Sequence, residues 1–210
     1  MSQLFACVSE DFALLAADRR VEVRNGSQVS ALPARKLFSP GGSVLIATSG
    51  AAVGITICEK LAVTLAAGNS MDLEEFDAYA MPYFQREYHE FTRKGADWFA
   101  SHPEAPRLSY VLMVGRTDGG GYGLRFYASE KHGEPFRLLP SGKVLTAPRR
   151  LGLEGAVMRA LTGPGTAGAV KATVLNSLLK IEALDPAVAG PFDLAVLDGN
   201  GLKMETAERT

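Results

Sequence analysis

Four residues in the first fifty carry groups whose types fit one chemistry: Ser2, Asp18, Lys36 and Gly50. Ser2 follows Met1, and a side chain as small as serine normally permits removal of that methionine, leaving a hydroxyl and an α-amine on one residue. An α-amine titrates at about 7.7–8.0, so near neutral pH it can accept a proton from the oxygen to which it is covalently tied. One residue then supplies nucleophile and base. A nearby ammonium such as Lys36 favours the neutral amine and eases ionisation of the hydroxyl, while Asp18 holds that ammonium and offsets its burial. The backbone N–H of Gly50, where a helix is expected to start, could donate to a developing oxyanion. Singly, each residue has a plainer reading: Asp18 paired with Arg19 or Arg20, Lys36 in solvent, Gly50 as a turn residue. Together they have a chemical use.

Other chemistries find less support in the residues. His89, His102 and His132 are scattered, with no pair at ligand spacing beside a carboxylate, so no metal site is expected. No GxSxG elbow or HExxH helix is present. The glycine run Gly119 to Gly121 has no following helix to present amides to a phosphate, and reads as a loop; no cofactor is implied. Cys7 and Cys58 lie in apolar periodic stretches without a CxxC motif and read as buried thiols.

The elements that must position these residues follow from pattern. Leu4, Ala6 and Val8 alternate with Gln3, Phe5 and Cys7, and "FALLAAD" begins at Phe12 after "SED"; pairing of residues 3–8 with 12–18 would fix Ser2 at a sheet edge. "RRVEVRNGSQVS" is polar, with a turn signal at Asn25 and Gly26. "ARKLF" and "SVLIATSG" flank a Ser39-Pro40-Gly41-Gly42 turn and read as a hairpin, giving four strands in about fifty residues. Residues 51–68 and 71–102 read as helices, the second capped by Asp72, with Glu74 and Glu75 in its first turn. Pro82 is expected to kink or break that helix, and its aromatic positions read as core. "LSYVLMVGR", "YGLRFYAS", "PFRLLP" and "KVLTA" read as strands, 152–162 and 167–183 as helices, and "FDLAVLD" with "GLKMET" as a closing strand pair. Helices in consecutive pairs favour two antiparallel sheets stacked face to face with a helix pair outside each, a four-layer αββα sandwich of the α+β class.

The chain has 210 residues, 47% hydrophobic and 21% charged, with formal net charge −1. No repeat, linker or low-complexity segment interrupts it, so a single domain over 1–210 is expected. The charge balance advertises no face to nucleic acid or to an acidic membrane. Leu37 to Cys58 lacks charge, but "SPGG" and "TSG" interrupt it, against a membrane span. The first dozen residues lack the features of an export signal, and a cytoplasmic location is expected.

The opening "SQLFACVSEDFALLAAD" resembles the first hairpin of the proteasome β-subunit and N-terminal nucleophile hydrolase superfamily, with Asp18 falling on the family's aspartate. "ARKLF" looks like the strand that carries its catalytic lysine, and "TSGAA" like the segment whose glycine amide completes the oxyanion hole, placing these roles on Lys36 and Gly50. "AGPFDLAVLD" is similar to the C-terminal region of the bacterial ancestral β-subunit branch, Anbu. Asp185 in "DPAVAGP" matches a second family aspartate. The resemblance implies the αββα fold, cleavage of amide bonds in peptide or unfolded-protein substrates, and self-assembly into ring or helical homo-oligomers. Nothing in the sequence specifies an unfolding ATPase as partner.

The chain departs from the pattern in carrying Ser2 where most members have threonine, Ala147 and Pro148 near the place of a supporting serine, and Val188 where another serine is usual. Those departures keep two alternatives open: a non-catalytic assembly subunit that uses the sandwich as a wall, and a small-molecule amidase on the same scaffold.

Overall fold

The computed structural model describes residues 2–25, 28–66, 70–103, 108–129, 131, 134–163 and 165–208. Six strands come first: β1 (Leu4–Val8), β2 (Phe12–Asp18), β3 (Arg20–Asn25), β4 (Gln28–Pro33), β5 (Leu37–Phe38) and β6 (Val44–Gly50). Helices α1 (Val53–Leu65), α2 (Leu73–Lys94) and α3 (Ala96–Ser101) follow, then β7 (Ser109–Arg116), β8 (Tyr122–Ser129), β9 (Arg137–Leu139) and β10 (Val144–Ala147). Helices α4 (Leu151–Thr162) and α5 (Ala167–Leu184) and strands β11 (Phe192–Asp198) and β12 (Gly201–Ala207) complete the chain. The protein is thus mixed α+β, with antiparallel sheets and, among the described residues, five helices.

One five-stranded sheet has the order β10-β1-β2-β11-β12, a second the order β5-β6-β7-β8-β9, and β3 pairs with β4 in a separate hairpin. The β1–β2 register sets Leu4 opposite Ala17 and Val8 opposite Ala13, so the backbone just after Ser2 is tied into a sheet between β10 and β2. Because side chains alternate across a strand, β1 serves two cores. Leu4 and Ala6 join Leu15 of β2 and Leu45, Leu112 and Val114 of the other sheet in one apolar cluster. Phe5 and Cys7 face the opposite way and share a cluster with Val157 of α4 and Val174 and Leu178 of α5. A third cluster joins Ile46 and Met113 to Ile57 and Leu61 of α1 and Phe76 and Phe84 of α2. Two sheets that share a core, each clustered with a helix pair on its other face, are compatible with the expected αββα sandwich. Strands covered on both faces carry apolar residues almost continuously, and each fully buried Leu or Phe contributes about 1.5–3 kcal/mol.

Three local expectations need correction. Six strands rather than the expected four precede α1, because the polar stretch after β2 forms β3 and β4, with Asn25 opposite Gln28; Gly26 of the expected turn lies outside the described residues. The 71–102 helix is divided at Gly95, where a Cβ would lie 2.9 Å from the Phe99 ring and 3.1 Å from the Phe91 carbonyl oxygen. Of the kink or break expected at Pro82, the break does not occur, since α2 runs through it; Pro82 and Ala78, whose carbonyl it cannot serve, are both exposed, so that carbonyl can turn to water. The Asp72 cap holds as expected, as a reciprocal pair with Glu75. No helix among the described residues is long and apolar enough to cross a membrane.

Candidate active site

Asp18 ends β2 and is wholly buried. Its Oδ1 accepts from the Gln3 N–H at 2.6 Å, and its Oδ2 accepts from the Arg20 N–H at 3.0 Å and from Lys36 Nζ at 2.9 Å. Lys36, immediately before β5, is 1% exposed. Besides Asp18, its Nζ donates to Ser2 Oγ at 2.6 Å and to the Arg20 carbonyl at 2.6 Å. An ammonium has three protons and here three acceptors, so a protonated Lys36 is fully satisfied. Arg19, a plainer partner for Asp18, pairs instead with Asp193 of β11 at 2.6 Å.

Burial lowers the Lys36 pKa from the ordinary lysine value, against the charge and hydrogen bond of Asp18. Burial likewise raises Asp18, opposed by Lys36 and by the Gln3 and Arg20 amides. Desolvation thus presses both partners toward neutrality. A donor 2.6 Å from a hydroxyl oxygen stabilises the alkoxide more than the alcohol, so the pair makes Ser2 Oγ easier to ionise. Met1, and with it the expected exposure of the Ser2 amine, lies outside the described residues.

Gly50 ends β6 and is stitched to the same place. The Thr48 N–H donates to the Lys36 carbonyl at 3.1 Å, and the Ala51 N–H donates to the Leu108 carbonyl at 2.8 Å. Gly50 has φ +94°, and a Cβ would stand 2.0 Å from the Leu108 carbonyl oxygen, so only glycine fits. Ser2, Lys36 and Gly50 line one cavity of about 470 Å³, walled further by Arg20, Ile55, Phe91, Trp98 and Phe99. Of the aromatic residues expected to be core, Phe76, Phe84, Tyr88 and Phe99 are buried; Phe99 also lines this cavity, together with Phe91 and the exposed Trp98.

Ser2, Lys36 and Gly50 line this cavity with Asp18 bound to Lys36 behind it; among the described residues Asp185 makes no hydrogen bond to any of these four. It caps the C-terminus of α5, where its carboxylate accepts from Arg150 Nη2 and from the Ala187 N–H. Burial raises its pKa, but the Ala187 and Arg150 bonds outweigh this and hold the carboxyl below its ordinary value. Gln3 and Arg150 are site neighbours that sequence reasoning missed. Ala147 is buried in the core shared by the sheets, and Val188 in the core beneath α4 and α5. Cys7 and Cys58 are buried thiols, and burial pushes Cys7 up to about 12. His89 is exposed, His102 partly so, and His132 lies outside the described residues; among the described residues no cluster could hold a metal ion. In comparisons with known proteins, no protein-family model matches the chain, and no curated protein matches its sequence.

Proposed function

We propose that the chain is a peptidase of the N-terminal nucleophile type on the proteasome-like αββα fold, with Ser2 as nucleophile once the residue ahead of it is removed. The observation that carries this reading is the 2.6 Å contact between Lys36 Nζ and Ser2 Oγ within a cavity, with the lysine backed by a buried aspartate. Ser2 Oγ attacks the substrate carbonyl, and its proton passes to the Ser2 α-amine and then to the leaving amine. Lys36 stabilises the alkoxide, Asp18 orients Lys36, and the Gly50 amide is the proposed oxyanion donor. Water then cleaves the ester and returns the free enzyme. The Ile55, Phe91, Trp98 and Phe99 wall favours an apolar side chain beside the cleaved bond. Self-assembly through the helical layers belongs to the same reading, and sedimentation of the purified chain measures it.

The test combines intact mass with trapping by an electrophilic β-lactone. The expected result is a mass lacking Met1 and a covalent adduct on Ser2 that disappears in Ser2→Ala. A blocked Ser2 amine, or labelling that persists in Ser2→Ala, overturns the reading. A non-catalytic wall subunit is the second reading, supported by the apolar occupation of positions 147 and 188. It predicts no adduct and assembly indifferent to Ser2→Ala.

A further inference from the structure

A second polar network reaches the Ser2 segment from α4. Arg150, the residue that caps the N-terminus of α4, divides its guanidinium between two acceptors: Nε donates to Gln3 Oε1 at 2.5 Å, and Nη2 donates to Asp185. Gln3 is wholly buried, and its remaining polar groups are also engaged. Its Nε2 donates to the Leu4 carbonyl at 3.0 Å and the Pro148 carbonyl at 3.1 Å, and its backbone N–H donates to Asp18 Oδ1 at 2.6 Å. The peptide unit bound to Asp18 is therefore the one that follows Ser2, and its side chain is gripped by Arg150. Two charged pairs, Arg150–Asp185 and Lys36–Asp18, meet at a single buried residue adjacent to the proposed nucleophile.

A planar guanidinium holds two acceptors in a fixed relation, which a lysine ammonium on a flexible stem does not reproduce. Loss of the grip leaves the buried Gln3 Oε1 without its donor and the side chain held through Nε2 alone, which lets the Ser2–Gln3 peptide shift against Asp18. The Ser2 oxygen then moves relative to Lys36, and reaction rates fall steeply with displacements of that kind. We infer that Arg150 is a positioning residue: anchored by Asp185, it grips Gln3 and so holds Ser2 in register with Lys36. Asp185 accordingly acts through Arg150 rather than on the reacting atoms. This inference rests on Ser2 being the nucleophile.

The experiment measures kinact and KI for β-lactone labelling of Ser2 in the full chain, for wild type, Arg150→Lys, Arg150→Met, Asp185→Asn and the Arg150→Met/Asp185→Asn double variant. The expected result is a kinact about 100-fold lower in Arg150→Met with KI within about 2-fold, the scale of a misplaced reacting group. Arg150→Lys recovers only part of the loss, and the double variant matches Arg150→Met because the two residues work as one unit. Thermal melts confirm that the variants compared are folded; Arg150→Lys carries the test if Arg150→Met is not. A loss in KI alone, unchanged kinact in a folded Arg150 variant, or losses that multiply in the double variant overturn the inference while the Ser2 reading stands. Absence of any Ser2 adduct in wild type overturns both.

Discussion

Replacing Asp18 by asparagine measures how tightly the charged pair beside Ser2 is built. The carboxylate is out of water and accepts from three donors, Lys36 Nζ, the Gln3 N–H and the Arg20 N–H. An asparagine keeps one oxygen and sets an NH2 group where the other stood, so in either orientation a donor meets a donor. The larger penalty is electrostatic, because Lys36 stays buried without its anion. Removing one partner of a buried ion pair costs about 3–5 kcal/mol, against about 0–1 kcal/mol for an exposed pair. Asp18→Asn is expected in the higher range, read as the loss of unfolding free energy in urea followed by circular dichroism. The loss also carries a pH signature. Without Asp18 the Lys36 pKa falls below its already lowered wild-type value, so the difference between wild type and Asp18→Asn grows as pH drops through that wild-type value and shrinks above it. Lys36→Met supplies the other edge of a double-mutant cycle, and the double variant is expected to lose less than the two singles summed, by about 2 kcal/mol. A cost below about 1 kcal/mol for Asp18→Asn, or simple additivity, would refute the reasoning.

Gly50→Ala forces a side chain onto a residue with positive φ and against the Leu108 carbonyl; strain alone costs about 1–3 kcal/mol, while Gly119→Ala, with open space around it, stays within about 0.5 kcal/mol. Urea unfolding separates the two, and equal effects would show that the β6–α1 junction is not confined. Glu154 is buried at the start of α4; burial raises its pKa, but bonds from Arg149 and Thr146 hold it below the ordinary value. Its folded pKa lies below its unfolded one, so its contribution is present above about 4.3 and is lost as pH falls through the folded value. The stability difference between wild type and Glu154→Gln is therefore expected to narrow on acidification, and a constant difference in pH-resolved thermal melts would count against that pairing.

What could be read from the chain was local. The β1–β2 hairpin follows from two apolar runs and a short turn, and once they pair with Leu4 opposite Ala17, Asp18 is level with Gln3 by counting. The Asp72 cap, the α4–α5 pair and the β11–β12 hairpin are likewise written in neighbouring residues. The β3–β4 hairpin was missed because it stands as its own two-stranded sheet, with Val23 and Leu32 exposed, so no burial pattern marks its faces. Arg150 was missed for another reason: its partners Gln3 and Asp185 lie 147 and 35 residues away, and side-chain pairing at that separation leaves no periodic trace. The cavity wall was hidden because aromatic residues on a helix satisfy the pattern of a core and of a pocket equally well.

The choice between a hydrolase and a wall subunit turns on the cost of the buried pair. Lys36 and Asp18 sit among Leu4, Ala17 and Leu37, all fully buried, at the end of the core shared by the two sheets. For stability alone nothing requires charge there, since replacing a buried ion pair by apolar residues of similar volume is often neutral or stabilising by about 1–4 kcal/mol. The offset to desolvation comes from a complete set of hydrogen bonds, and one of the three from Lys36 goes to the hydroxyl of Ser2, which lines a cavity. A structural pair would instead direct all its donors to fixed backbone acceptors or to its own carboxylate. Aiming one at a cavity-lining hydroxyl gives up nothing if that oxygen is meant to become an anion, because the same donor then binds a charge and strengthens. That asymmetry between the resting and the ionised hydroxyl is what a catalytic ammonium needs and what a wall has no use for.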